Sequence, residues 1–298
     1  MFDVLIIGGG PAGATAAIYT ARAKFETVLI YKNYGALETA ERVDNFYGFS
    51  KISGKSLVEK GLRQARRMGA KTVIGEVVGI QKNENGIVVE TPTAIYRSKT
   101  VLLATGANRD TPKIHGLSDL EGRGVSYCAI CDGFLYNGKD VAVLGSGAYA
   151  LHEVTDLLPL ASSVTLLTNG NEPSVSFPDS VIVRTEKISE VTSGAVASKF
   201  AGLSQSVFNG VTFDTGESLS LSGLFVATGI ASGTELARKI GATLNPQCAV
   251  QINSEKQTSV QGIWAAGDCT GGLKQIVKAA HEGAEAGQSI IKFLRGNT

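Results

Sequence analysis

Two kinds of hydrophobic pattern alternate along this chain. Phe2–Ile7, Thr27–Tyr31, Val101–Ala107, Lys139–Leu144, Ser163–Leu167 and Gly262–Ala266 are short, nearly continuous apolar runs, most of them ending at a glycine or a small polar turn. Runs of this length, flanked in this way, predict strands buried on both faces, as in a parallel sheet covered by helices. Between them lie two helical stretches, alanine-rich Ala14–Arg22 and the cationic segment 53–69. Three stretches alternate instead, at residues 72–80, 86–90 and 94–97, with Asn85-Gly86 as a turn between two of them. That period of two predicts an antiparallel meander set against the parallel sheet. The fold class is therefore α/β.

The chain has 298 residues, enough for about two domains, one of which can interrupt the other. Its net charge is +1, which gives no footing for nucleic-acid binding. No apolar run approaches the ~20 residues of a membrane span, and Phe2 opens a strand at once where a secretory leader would stand. With four cysteines, two of them closely spaced, a reducing cytoplasm is the expected location. The 36 glycines follow no repeat and collect where strands meet helices.

The first such junction is Gly8-Gly9-Gly10-Pro11-Ala12-Gly13, between the first strand and the first helix. Strand, GxGxxG and helix in that order give a dinucleotide pyrophosphate its tight turn, close backbone approach and helix N-terminus. The fingerprint also asks for an acid about 20 residues later, on the ribose. This chain has Tyr31-Lys32-Asn33 there, so ribose recognition must come from backbone or from other side chains. A second strand-turn-helix, Gly145-Ser146-Gly147-Ala148-Tyr149-Ala150, restates the turn as GxGxxA.

Just before that second turn lies Tyr127-Cys128-Ala129-Ile130-Cys131-Asp132-Gly133. Two thiols two residues apart can close a small disulfide, and the adjoining acid can move a proton as it opens. The other reading of such a pair is half a zinc site, but Cys248 and Cys269 lack paired spacing and supply no second half, so no metal is expected. His115, His152 and His281 are scattered without metal-type neighbours, and Trp264 reads as strand core. On segment 53–69, Lys60, Arg63 and Arg67 share one helix face, which is either solvated or a dock for an acidic protein.

The succession GGGPAG, VDNFYG, LLATGA, CAICDG, GSGAYA, GLFVATG and GIWAAGDC resembles the low-molecular-weight thioredoxin reductases along nearly the whole chain. That resemblance implies a homodimer with two Rossmann-like folds. The FAD-binding domain would be built from residues 1–110 and 232–298, and residues 111–231 would be an inserted NADPH-domain-like module carrying the redox disulfide. It implies that Gly8, Gly10, Pro11, Ala12 and Gly13 cradle the FAD pyrophosphate, with Tyr31 and Lys32 where the ribose is met. Asn45, Thr105, Gly106 and Ala107 would line the flavin side. Gly267 and Asp268 would meet the ribityl and phosphate region, and Lys274, Gln275 and Ile276 would open a helix beneath the ring. Cys131 would face the flavin, Cys128 would attack the disulfide of thioredoxin, and Asp132 would donate the proton.

The second fold departs from that family. Where NADPH enzymes carry arginines for the 2′-phosphate, strand Ser163–Leu167 ends in Thr168-Asn169-Gly170-Asn171. Stretch 171–181, with Pro173 and Pro178, is too short and proline-broken for the expected helix, and bulky Tyr149 is expected to crowd the pyrophosphate. These changes predict a module that keeps its architecture without binding NADPH, and ferredoxin as electron donor, as in flavin-type ferredoxin:thioredoxin reductases. From a ferredoxin near −400 mV to a thioredoxin near −270 mV the drop is about 130 mV, roughly 6 kcal/mol for two electrons. Two alternatives stand beside this one: an NADPH enzyme with substitute cations such as Arg184 or Lys187, and an FAD-dependent dithiol oxidase.

Overall fold

A computed structural model of the chain describes residues 1–106, 112–197, 204–229 and 232–296. The chain divides into two compact units, Met1–Arg109 with Ala231–Thr298, and Asp110–Ile230.

The first unit begins with β1 (Phe2–Ile7), α1 (Pro11–Arg22), β2 (Thr27–Tyr31), α2 (Gly54–Arg67), β3 (Lys71–Ile74), β4 (Gly79–Asn83), β5 (Gly86–Thr91) and β6 (Ala94–Leu103). The second contains β7 (Val125–Ser126), α3 (Ala129–Asp132), β8 (Asp140–Leu144), α4 (Ala148–Leu157), β9 (Ser163–Leu167), β10 (Ile182–Arg184), β11 (Ile188–Ala197), β12 (Ser204–Phe213), β13 (Ser218–Ser220) and β14 (Gly223–Val226). The chain then returns to the first unit with α5 (Gly233–Lys239), β15 (Ile263–Ala265) and α6 (Ile276–Leu294).

In the first unit one sheet runs β3-β2-β1-β6-β5-β4, with β15 also on β6. β1, β2, β3, the later part of β6 and β15 are parallel, whereas β4, β5 and the first half of β6 form an antiparallel meander. The meander is thus present with its parts redistributed. Stretch 72–80 breaks at Gly75, its first half joining β2 in parallel and its last residues starting β4. Stretch 94–97 runs without interruption into the parallel strand that follows it.

Packing explains why the two ends of the chain meet here. α1 is alanine-rich on its buried side, and α6 lies against it with Gly283 so close that a Cβ there would stand 2.2 Å from the Ala12 carbonyl oxygen. Trp264 on β15 is wholly buried, and its indole N–H donates to Ser289 Oγ of α6 at 2.9 Å, so the core reading of this residue holds. The tryptophan brings a large apolar surface whose one polar atom is satisfied.

The second unit has a five-stranded parallel sheet, β10-β9-β8-β14-β7, and a three-stranded antiparallel sheet, β11-β12-β13. Leu144, Leu167, Leu224 and Val226 of the first pack with Phe208, Val211 and Phe213 of the second into one core. No helix forms between β9 and β10, where Pro173 and Pro178 fall. Among the described residues no helix is long and apolar enough to cross a membrane.

Candidate redox and dinucleotide sites

Cys128 and Cys131 are joined by a disulfide, S–S 2.05 Å and Cα–Cα 5.3 Å. Cys128 is the extended N-cap of the short helix α3, and its sulfur accepts a hydrogen bond from Cys131 N at 3.2 Å. Ser126 Oγ donates to Asp132 Oδ2 at 2.6 Å and accepts from Cys128 N at 3.2 Å, so the acid is fixed to the backbone of the first cysteine through one hydroxyl. Cys128 is only 2% exposed, whereas Cys131 is half-buried. Ile130, Phe134 and Leu135 are exposed around the pair. Among the described residues no cluster of His, Cys, Asp and Glu is fit to hold a metal.

Helix α4 supports this loop from below. Tyr149 is buried and its hydroxyl donates to the Tyr127 carbonyl at 3.1 Å; one turn on, buried Glu153 accepts from Ala129 N at 2.6 Å. The residues on either side of Cys128 are therefore both held by one helix face. The sequence reading placed Tyr149 against a pyrophosphate. The structure corrects that: its ring is turned into the core because the hydroxyl has a backbone partner there.

The Gly145 turn borders a cavity of about 320 Å³ lined by Gly145, Ser146, Thr168, Asn169, Asn171 and Thr228, among others, with no charged side chain among the described lining residues. The loop after β9 closes on itself, Asn171 Nδ2 donating to the Thr168 carbonyl and Thr168 Oγ1 to the Asn171 carbonyl. Ser174 then folds back, its N–H and hydroxyl both donating to the Ser146 carbonyl at 2.8 and 3.0 Å. Arg184, a possible substitute cation, forms ion pairs with Glu186 and Glu217, each at 2.8 Å, and lies over the Phe213 ring. Its hydrogen bonds to those carboxylates raise its pKa further above the usual arginine value. Lys187 lies against Gly170, so one cation borders the loop.

The first glycine turn is tighter. A Cβ on Gly8, φ +114°, would lie 2.2 Å from the Ala104 carbonyl oxygen, and one on Gly13 would lie 2.0 Å from the Gly8 oxygen. Gly10 faces open space, with nothing within 4 Å of a Cβ, and is the N-cap of α1 with Pro11 and Ala12 in its first turn. The N–H groups of that turn have no side-chain cap, which suits an anion. Gly106 follows Thr105 at φ +78°, and Thr105 Oγ1 is buried without a hydrogen-bond partner. A partnerless buried hydroxyl beside an open glycine turn is what a missing ligand leaves behind. The residues present therefore fit a dinucleotide such as FAD.

Other expected cofactor residues of this unit are also placed. Asn45 Nδ2 donates to Gln275 Oε1 at 3.0 Å, and Gln275 is the N-cap of α6, which begins at Ile276. Lys274 is exposed. Gly267, φ +87°, and Asp268 form the turn after β15, and Tyr31 is buried beneath Gly9, where a Cβ would meet the Tyr31 ring at 2.9 Å. Lys32 pairs with Glu76. Ala107 lies outside the described residues.

The sequence matches the pyridine nucleotide-disulphide oxidoreductase family over residues 2–283, and the chain belongs to that family. It is similar to thioredoxin reductase of Bacillus subtilis, 33% identical over 99% of this chain and 95% of that one. Among solved structures it resembles the atypical thioredoxin reductase TRi of Desulfovibrio vulgaris Hildenborough, 33% identical with a TM-score of 0.88 over 99% of both chains. It also resembles a ferredoxin-flavin thioredoxin reductase of Clostridium acetobutylicum, 27% identical with a TM-score of 0.70 over 99% of this chain and 98% of that one.

Four residues around these sites were not singled out in the sequence. Glu153 and Glu76 lie far along the chain from the groups they touch, and nothing local marks them. Lys278 and Glu282 were legible as an i,i+4 pair on a helix. Lys278 Nζ donates to the Gly267 and Gly271 carbonyls at 2.8 Å and pairs with Glu282 at 2.9 Å, while Glu282 accepts from Gly267 N. His152 lies 3.8 Å from Asp156, and exposed His281 lies 3.2 Å from Glu285; Cys269 is buried, and burial pushes its thiol up to about 12.

Proposed function

We propose that this protein is an FAD-dependent disulfide reductase that reduces thioredoxin through Cys128 and Cys131, with reduced ferredoxin as electron donor in place of NADPH. The observation that carries the reaction class is the closed Cys128–Cys131 disulfide with Asp132 hydrogen-bonded to Ser126 beside it. The relatives named thioredoxin reductase support thioredoxin as the substrate. Exposed Ile130, Phe134 and Leu135 favour a protein partner over a small dithiol, because they offer apolar surface around the sulfurs. A homodimer and the division of labour between an FAD unit and a disulfide unit belong to the same proposal.

In the first unit, Gly8, Gly10, Pro11, Ala12 and Gly13 would hold the FAD pyrophosphate, with Tyr31, Lys32, Asn45, Thr105, Gly106, Ala107, Gly267, Asp268, Lys274, Gln275 and Ile276 along the rest of the cofactor. FAD supplies a carrier that accepts electrons singly and delivers them in pairs. The protein's own chemistry balances at sulfur. Two electrons, entering at Cys131, would open the Cys128–Cys131 bond to two thiolates, and Asp132 would pass a proton to the first partner thiolate expelled in the next step, the second being protonated from solvent. The Cys128 thiolate, once uncovered, attacks the thioredoxin disulfide, forming one S–S bond and expelling one partner thiolate. The Cys131 thiolate then attacks Cys128 Sγ in the mixed disulfide, restoring the original bond and releasing the second partner thiolate.

The preference for ferredoxin rests on the second glycine turn. Its cavity has no described cationic lining, Arg184 is engaged by two glutamates, and Ser174 occupies the Ser146 carbonyl. The similarity to a ferredoxin-flavin enzyme agrees with this. Lys187 beside Gly170 favours the second reading, an NADPH enzyme with an altered site. Anaerobic stopped-flow mixing with NADPH, NADH and reduced ferredoxin in parallel separates the two. Rapid flavin reduction by ferredoxin alone is expected, and rapid bleaching by NADPH would replace the first reading with the second.

A further inference from the structure

β3 lies parallel to β2 with Ile74 level with Tyr31, and Gly75 N donates to the Tyr31 carbonyl at 2.9 Å. The chain thus delivers Glu76 to the end of β2, at the height where the dinucleotide fingerprint expects a ribose-binding acid and where this sequence has none. Gly9 abuts Tyr31, so the glycine turn and this strand end are neighbours. Lys32 Nζ holds Glu76 Oε2 at 2.8 Å. Glu76 Oε1 is buried and has no hydrogen-bond partner.

A structural ion pair between two strand ends accounts for Oε2 and leaves Oε1 unexplained. A buried carboxylate oxygen without a donor is costly, and carboxylates in stable sites have their lone pairs taken. The hydroxyls of a ribose are donors of the right kind. We propose that Glu76 accepts the ribose hydroxyls of the adenosine half of FAD, standing in from the neighbouring strand for the missing acid, with Lys32 orienting it. This rests on the FAD reading of the Gly8–Gly13 turn.

The test uses full-length apoprotein titrated with FAD and with an FAD analogue whose adenosine ribose lacks its 2′ and 3′ hydroxyls, read by flavin fluorescence. Wild-type protein is expected to prefer FAD by about tenfold to a hundredfold, the effect of a lost charge-assisted hydrogen bond. Glu76→Gln should weaken FAD by a similar factor and bind the two ligands nearly equally. Lys32→Ala should keep a preference for FAD, and apoprotein melting should show that both variants fold. Wild-type affinity in Glu76→Gln, an undiminished preference there, or no preference in the wild type or in Lys32→Ala overturns the assignment. A wild-type protein that binds neither ligand overturns the FAD reading itself, and the role of Glu76 falls with it.

Discussion

The two glycine turns share a plan and differ in what surrounds them. In each, the first glycine sits against the end of a neighbouring strand, a Cβ on Gly8 meeting the Ala104 carbonyl oxygen at 2.2 Å and one on Gly145 meeting that of Ala227 at 2.4 Å. The helix that follows is put to different use. α1 is clad in alanines and packs against α6, while its N-terminus faces open space at Gly10. α4 carries Tyr149 and Glu153, which hold the backbone around Cys128, and its turn is met by Ser174. One helix leaves its N-terminal turn open at Gly10; the other holds the backbone on either side of Cys128. The strand and helix of each unit are needed for its core, whereas the side chains at a strand end are free to differ.

The largest effect should come from the redox pair. Cys128→Ser is expected to leave the flavin reducible while lowering thioredoxin turnover by at least about a thousandfold, as removal of a covalent nucleophile does. Turnover with reduced ferredoxin and thioredoxin, alongside flavin absorbance, reads both halves. Substantial activity in this variant would remove Cys128 from the attacking role, a result its burial makes worth seeking.

The third position of each turn gives a sharper contrast. Gly13→Ala places a Cβ 2.0 Å from the Gly8 carbonyl oxygen, backbone that cannot yield cheaply. It should cost about 1–3 kcal/mol of stability and most of the bound flavin. In the second turn that position is already Ala150, and Ala150→Gly should cost only about 0.5–1 kcal/mol, the helix penalty of glycine. Flavin content and thermal melting distinguish these outcomes. Equal effects at both positions would mean that the two turns have not diverged.

How far these differences were readable in the sequence depends on what each requires. Both strand-turn-helix units and the redox pair are local patterns, and β2 and β9 keep the boundaries that apolar runs gave them. The break of residues 72–80 at Gly75 was missed because its two halves alternate alike and differ only in which neighbour they pair with. Tyr149 was misread for a related reason. A bulky residue in a glycine-rich turn looks like an obstruction until the Tyr127 carbonyl, 22 residues back, is seen to receive its hydroxyl. The uncharged run Thr168–Asn171 after β9 was legible, but the engagement of Arg184 by Glu217 across 33 residues was not.

A smaller effect is expected on the first unit's surface. Lys60, Arg63 and Arg67 are exposed on α2, so a helix face of three positive charges is available to an acidic iron–sulfur protein. Reversing all three to glutamate should slow flavin reduction by ferredoxin by about tenfold at low ionic strength and flatten its salt dependence. Thioredoxin reduction by chemically reduced enzyme should be unchanged. An unaltered ferredoxin rate would return this face to ordinary solvation and leave the donor to dock elsewhere.

The smallest effect is expected from removing the Tyr149 hydroxyl alone, and it bears on what the second turn's helix does. Tyr149→Phe removes one buried hydrogen bond and leaves the Tyr127 carbonyl without that donor, a loss of about 1 kcal/mol, or roughly 2–4 °C in melting temperature. Because the ring fills core and not the cavity beside Gly145, Tyr149→Ala should add to that loss without opening a nucleotide site, and NADPH should still fail to bleach the flavin quickly. If trimming the ring instead confers rapid reduction by NADPH, bulk alone was the barrier and the absence of charge at the end of β9 was never decisive. If the variant gains nothing, the divergence lies in that strand end and in Ser174, and the tyrosine belongs to the disulfide.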